Sequence, residues 1–386
     1  MITIKQVNND KKGMKDFIHF PYSLYRNDEN WCPPLIMERK KFFSAKNPFM
    51  SHGRIAYFVA YEEGRPVGRV TAHTDEVYDK HYNIKQGFFG FFEAADNFEL
   101  ASLLIRSAED WLRSNGIQTI MGPCSFSLNH EVGFLIKGFE RPPVLMMPYT
   151  KKYYPGLFYK MGYRKEKELI AYRLGRETVT ETPEIITRIS KEIKDKFGDS
   201  IEIRNLDMKY IKPQLKIILD IYNEAWSKNW GFVPMTEEEM NELGKELKYF
   251  AYPEIIYTLY KDGEPAACLL AFPDINEMLI HIKNGKLFPT GIFKLLFFRK
   301  YVKTGRLILM GVKSKFRNMR LDVLLYQRLF EDALSKTEGN RLSSIHDLEM
   351  SWILEDNIAM NAILESLKAD PYKRYLILKK TLGGMA

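Results

Sequence analysis

Apolar and polar positions alternate along this chain in blocks that suit the strands and helices of a mixed sheet. ITIKQV (2–7) reads as a strand and FIHFPYSLYRND (17–28) as a helix, followed by an irregular stretch rich in Pro and aromatics. Residues 55–73 pattern as a hairpin: an apolar run, a Glu-Glu-Gly turn and a second apolar run. GFFGFFEAA (87–95) follows as a third strand, its rings expected in the core on both faces. Over 99–115 Leu100, Leu103, Leu104, Ala108, Trp111 and Leu112 recur at helical spacing, and Gly116 is a fitting stop. IQTIMG reads as a buried strand, and the insertion 125–143 after it is long enough to suggest a functional loop. VLMMPY, a helix near 151–161 and the strand ELIAYRL complete the half.

The second half repeats this order. Strand IEIRNL precedes helices over 208–225 and 236–249 and a hairpin over 254–272. Strand RLILMGV, a helix over 320–335, strand RLSSIHDLEM, a helix over 355–367 and the closing strand YKRYLILKK follow. Individual phrases repeat too. IAYFVAYEEGRPVGRV (55–70) matches IIYTLYKDGEPAACLLA (255–271), with Tyr260 for Tyr61, an offset of 199 residues. LFYKMGYRKEKELIAYRL (157–174) matches ILESLKADPYKRYLILKK (363–380) at an offset of 206. Two ordered echoes at nearly equal offset predict a duplicated domain. The expected fold is α/β with a mixed sheet in two tandem domains, 1–176 and 201–386. A linker helix (RISKEIKDKFG) is expected within 177–200, with Pro183 at its opening.

Composition narrows the class. The 45% hydrophobic and 13% aromatic content suits a folded protein and excludes a disordered one. No run of 18 apolar residues exists, and FKLLFF (293–298) is too short for a bilayer, so no membrane span is expected. The start lacks a secretory apolar region and the three cysteines are isolated, which points to a reducing, cytoplasmic setting. The seven histidines show no metal-ligand spacing, and GxSxG, GxxxxGK[ST] and HExxH do not occur. No metal is expected. The net charge of +8 is concentrated: between Glu277 and Asp322 there are eleven Lys and Arg and no acid. Such a field attracts phosphates, nucleic acid or a membrane surface.

Within that window RLILMGVKSKFRNMRLDVLLYQRLFEDAL (306–334) runs from a strand through a basic turn into an amphipathic helix. A turn that opens a helix offers backbone N–H groups to a phosphate. The arrangement resembles the acyl-CoA diphosphate loop of the GCN5-related N-acetyltransferase superfamily, Arg/Gln-x-x-Gly-x-Gly/Ala. Arg317 matches the first position, while Arg320 and Asp322 stand at the two glycines. SWILEDN with the following helix, FYKMGY, and the phrases GFFGFFE and GP.SFS.N.E.GFL..GF..PP extend the likeness to a group of bacterial tandem proteins over nearly the whole chain.

The resemblance implies an acyl-CoA co-substrate held by Arg317, Asn318, Met319, Arg320 and Leu321. It also implies that the strand with Met310 and Val312 lies along the pantetheine arm, and that Asn357 sits at the superfamily's usual asparagine. The superfamily's tyrosine acid would fall at Leu364 and a customary glycine at Lys368, so that acid is absent. Glu349 is the candidate base. The implied reaction is acyl transfer to an amine on a small molecule or peptide. Aminoacyl transfer from charged tRNA, or a binding module with decayed sites, are the alternatives. Asn129, Glu131, Tyr149, Tyr153 and Tyr154, polar tips on or after the insertion, are expected to wall the acceptor's pocket.

Overall fold

The computed structural model of the chain describes residues 1–248, 250–335 and 341–383. It divides into two compact units. One comprises Met1–Ile170, Met278–Phe297 and the chain from Lys373 on; the other comprises Ala171–Glu277 and Phe298–Tyr372.

The first half of the chain forms β1 (Ile2–Gln6), α1 (Lys11–Leu24), α2 (Ile36–Phe42), β2 (Gly53–Glu62), β3 (Arg65–Asp75), α3 (Glu76–Tyr82) and β4 (Gly87–Ala94). There follow α4 (Phe98–Ser114), β5 (Thr119–Gly122), β6 (Phe134–Lys137), α5 (Tyr154–Lys160) and β7 (Arg164–Gly175). The second half forms α6 (Glu184–Phe197), β8 (Ile201–Asn205), α7 (Ile211–Ala225), α8 (Glu237–Leu247), β9 (Ile256–Lys261), β10 (Glu264–Pro273), α9 (Asn276–Leu279) and α10 (Gly291–Phe298). It ends with β11 (Thr304–Val312), α11 (Asp322–Leu334), β12 (Asp347–Leu354), α12 (Ile358–Ser366) and β13 (Asp370–Thr381).

In the first unit β1 to β4 run antiparallel in sequence order, and β4 then pairs with β5 in parallel. Helix α4 makes that crossover and buries Leu100, Leu104, Ala108 and Leu112 on one face of the sheet with Phe89, Phe92 and Phe158. The other face holds an aromatic core of Phe17, Phe43, Phe49, Tyr57 and Phe126. Each face is thus covered by its own layer. In the second unit β8, β9, β10 and β11 repeat the antiparallel run, and β11 pairs with β12 in parallel. Helix α6 lies against α11 within this unit.

The two hairpins coincide in detail. Glu63 and Asp262 both have φ 51°, followed by Gly64 at 76° and Gly263 at 77°. Two successive left-handed residues make the turn that matches strand twist. Beyond it Tyr61 faces Pro66 and Tyr260 faces Pro265, and in each case the pairing then shifts by one residue, skipping Val67 and Ala266. A shared bulge at the same offset supports duplication independently of residue identity.

Several local expectations are corrected. The stretch 31–49 contains α2, and the insertion contains β6. The strand expected over RLSSIHDLEM starts only at Asp347 as β12. The closing strand β13, expected to complete the second half, pairs from Arg374 onward with β6 and β5 of the first unit. Its Tyr375, Leu376, Ile377 and Leu378 are fully apolar-buried there, which local pattern alone cannot assign to one sheet or another.

Candidate functional site

In both units a parallel strand pair opens after a short register. β4 meets β5 only at Gly87–Ile120 and Phe88–Met121, and β11 meets β12 only from Thr304–Asp347 to Leu307–Met350. Past those points the strands part; polar groups gather there in the first unit, while in the second Arg306 and Glu349 face each other within the paired register.

In the first unit the gathering begins with a bulge. Arg69 faces Glu93 and Thr71 faces Gly90, so Phe91 and Phe92 together oppose Val70, with Phe91 at φ 49°. The extra residue reverses the alternation. Phe92 joins Phe89 in the α4 core, and Glu93 turns to the α1 side beside Arg69. Gly90 is required because a Cβ would lie 1.9 Å from the Cys124 carbonyl oxygen.

Glu93 is 9% exposed, and its Oε2 accepts from the hydroxyls of Tyr25 and Tyr154, each at 2.8 Å. Tyr154 also accepts from the Ala94 N–H at 3.1 Å, and Tyr153 donates to the Ala94 carbonyl at 2.7 Å. Burial pushes the Glu93 carboxyl up to about 7, against the opposing pull of Arg69 and the tyrosines. Burial, reinforced by Glu93, also holds the Tyr25 and Tyr154 hydroxyls well above their ordinary range, so both remain donors.

Arg69 donates to the Phe17 carbonyl at 2.8 Å and lies 4.9 Å above the Phe17 ring, while its buried Nε has no hydrogen-bond partner. Outside this layer Trp31 stacks on Tyr25 at 5.1 Å, and Lys151 sits 4.3 Å over the same ring. Lys151 pairs with Asp28 at 3.1 Å, and Tyr149 donates to Asp28 at 3.0 Å. A cleft of about 320 Å³ lined by Ser23, Arg26, Asp28, Glu29 and Lys151 opens next to this group.

Of the expected pocket tyrosines, Tyr154 bonds a buried carboxylate that the sequence reading did not single out, Tyr153 bonds the adjacent Ala94 carbonyl, and Tyr149 turns its hydroxyl to Asp28. Asn129 and Glu131 are half-buried in the insertion, whose Phe126 stacks on Phe42 at 5.0 Å and on Phe49 at 5.2 Å. The Glu131 charge acts on Arg39, which stacks over Phe42.

In the second unit Glu349 is 1% exposed on β12. It accepts from Ser351 Oγ at 2.5 Å and from the Tyr372 hydroxyl, and Arg306 Nε donates to Ser351 Oγ at 2.9 Å. This is a closed, fully buried network.

The basic turn, residues Ser314–Met319, is a single 3-10 stretch before α11. Several of its donors are engaged: Glu224 takes the Ser314 N–H at 2.8 Å, the Phe316 N–H donates to the Lys313 carbonyl at 2.9 Å and the Val323 N–H to the Arg320 carbonyl at 3.1 Å. Arg317 donates to the Ala225 carbonyl at 2.5 Å and Lys315 pairs with Glu264 at 2.6 Å. These donors are thereby taken up within the protein. Asn318 and Arg320 are exposed, Met319 is half-buried and Leu321 is buried. Met310 and Val312 are half-buried on β11 past the point where it leaves β12. Asn357 caps α12 by accepting from the Met360 N–H.

Arg320 and Lys368, at positions where the superfamily pattern has glycine, adopt φ 56° and 57°. The backbone keeps the glycine conformation although the residue has changed. Among the described residues no group of three or more His, Cys, Asp or Glu is placed to hold a metal ion.

Duplicated mixed sheets with parted parallel strands define a tandem protein of the GCN5-related N-acetyltransferase fold. The tandem protein of that fold from the clavulanic acid biosynthesis pathway aligns over 100% of both chains, with a TM-score of 0.58 at 10% identity. A GCN5-related N-acetyltransferase from Sphaerobacter thermophilus aligns over 100% of this chain and 97% of its own, with a TM-score of 0.51 at 11% identity. In sequence the chain is 39% identical over 375 residues to protein YghO of Escherichia coli K12, covering 97% of this chain and 94% of that protein. It is 35% identical over 376 residues to the bacterial ceramide synthase of Caulobacter vibrioides, covering 96% and 95%. The chain belongs to the family of tandem GCN5-related N-acetyltransferase-like proteins that contains these two. No protein-family model matches it.

Proposed function

We propose that this protein is an N-acyltransferase that moves an acyl group from acyl-CoA to the amine of a long-chain amino alcohol. The acceptor class follows from the relative named a ceramide synthase, since a ceramide is an N-acylated amino alcohol of that kind. The observation that carries the reading is Glu93, a carboxyl buried under two tyrosines and brought close to neutrality where β4 leaves β5. We take the duplicated segments to run over 1–176 and 201–386, with 177–200 connecting them.

The chemistry asks for little more. The amine nitrogen attacks the thioester carbon, so that the N–C bond forms and the C–S bond breaks. The nitrogen must lose a proton and the leaving thiolate must gain one. A carboxylate near pH 7 is matched to the first task, because at neutrality a large share of it is ionised. Tyr25 or Tyr154 donates to the developing oxyanion, and the proton held by Glu93 passes to the thiolate. Tyr149, Tyr153, Asn129 and Glu131 orient the acceptor.

The test is a mass-spectrometric assay for the N-acyl product from palmitoyl-CoA and a long-chain amino alcohol, run with the full chain. Wild type is expected to turn over. Glu93→Gln is expected to lower kcat by about 100-fold or more, and Glu349→Gln by far less. Undiminished turnover in Glu93→Gln removes Glu93 from the mechanism, and absence of product with every amine tried removes the reaction.

A further inference from the structure

Residues 286–297 of the first unit, KLFPTGIFKLLF, contradict the usual economy of a surface helix. In α10 the inward side is already apolar, with Gly291 and Leu295 buried. The outward side is apolar as well: Phe293, Leu296 and Phe297 are 70%, 58% and 55% exposed, and Phe288 just before the helix is 65% exposed. Phe293, Leu296 and Phe297 stand at i, i+3 and i+4, so they form one continuous ridge. A helix that is apolar all round normally lies in a core or in lipid. Here its outer face has water, which singles the ridge out as an interaction surface.

The surrounding charge identifies the partner. Lys286 and Lys294 flank the ridge and are exposed, and the chain runs on through exposed Arg299, Lys300 and Lys303. From Glu277 to Asp322 no acidic residue interrupts this series. Phe and Leu over a band of Lys and Arg is the composition that lies in the headgroup layer of an anionic bilayer, with rings in the acyl boundary and cations at the phosphates. Among the described residues no helix is long and apolar enough to cross a membrane, so the contact is superficial.

We infer that the α10 ridge docks the protein on the surface of an anionic lipid bilayer. The inference rests on this surface alone and holds whether or not Glu93 performs acyl transfer.

The experiment is flotation of the full chain with vesicles of phosphatidylcholine alone and of phosphatidylcholine mixed with phosphatidylglycerol, whose anionic headgroups give the bilayer a negative surface potential. Wild type is expected to float with the anionic vesicles and to be released as salt screens the headgroups. The triple substitution Phe293→Ser, Leu296→Ser, Phe297→Ser is expected to weaken partitioning about tenfold or more. Unaltered circular dichroism shows that the variant is folded. A measurement on the unaltered protein stands beside it: hydrogen exchange, in which amides of 288–303 gain protection when anionic vesicles are added. Wild type left in the pellet at low salt, or no gain of protection over 288–303, overturns the inference. So does a concentration-dependent dimer that the triple substitution dissolves while vesicles bind neither form, since the ridge is then a self-interface.

Discussion

Replacing Glu93 by Gln separates what the site needs from what the fold prefers. In the folded chain burial raises this carboxyl from an ordinary 4.5 to about 7. A carboxyl held above its unfolded value keeps protons that the unfolded chain has released. Its contribution to stability is therefore intact below about pH 4.5 and is lost as pH rises through 7. About 2.5 pH units at about 1.4 kcal/mol each amount to a cost of about 3 kcal/mol once Glu93 is ionised. Glutamine keeps an oxygen for Tyr25 and Tyr154 but carries no charge. The variant should match wild type near pH 4.5 and exceed it by about 3 kcal/mol at pH 9. Urea titrations read by circular dichroism at intervals from pH 4.5 to 9 measure the difference, with the slopes compared to confirm that the same surface unfolds. Two curves that stay parallel over this range refute the argument. A variant less stable at every pH does so too, because the Glu93 charge would then be a net favourable partner for Arg69.

Other substitutions probe the same unit. Tyr154→Phe removes a donor that holds Glu93 down, so the acid limb of the pH–rate profile should move to higher pH; a limb that stays in place rules out Glu93 as its source. His73 is fully buried and burial lowers its value to about 3, so its contribution is present above 6.5 and is lost as pH falls; His73→Phe should gain about 2 kcal/mol over wild type at pH 5. Leu378→Ala on β13 should cost about 2–5 kcal/mol, seen as faster hydrogen exchange in β5 of the first unit while β9 and β10 keep their rates. Because Arg320 holds a left-handed φ of 56°, Arg320→Gly should stabilise by up to about 1 kcal/mol in a thermal melt and Arg320→Val should destabilise.

What the sequence disclosed about this molecule was local. The duplicated hairpin was legible because its turn, its Tyr–Pro pair and its glycine lie within a few residues of one another. Long amphipathic helices such as α4 were legible from spacing alone. Glu93 was not, because one bulged residue at Phe91 changes which face the carboxylate takes, and GFFGFFE carries no mark of that register. The short strand β6 was hidden for a related reason: four residues, Phe134–Lys137, are ordered by pairing with a strand more than two hundred positions away. The basic turn shows the opposite case. Its charge was conspicuous, yet Glu224, which takes the Ser314 N–H from 90 residues earlier in the chain, was silent in the pattern.

The placement of β13 also governs how the chain can be made. Leu378 lies opposite Gly122, 256 residues earlier, and until that partner exists the sheet edge at β5 and the core beneath it lack a wall. Loop closure of this length adds little to the equilibrium cost, but it delays the event. During synthesis β5 and β6 lack this partner until nearly all of the second unit has been translated. Conversely, β7 hands its residues from Ala171 to Gly175 to the second unit. A cut at the linker would thus separate the first unit from β13 and the second from the end of β7.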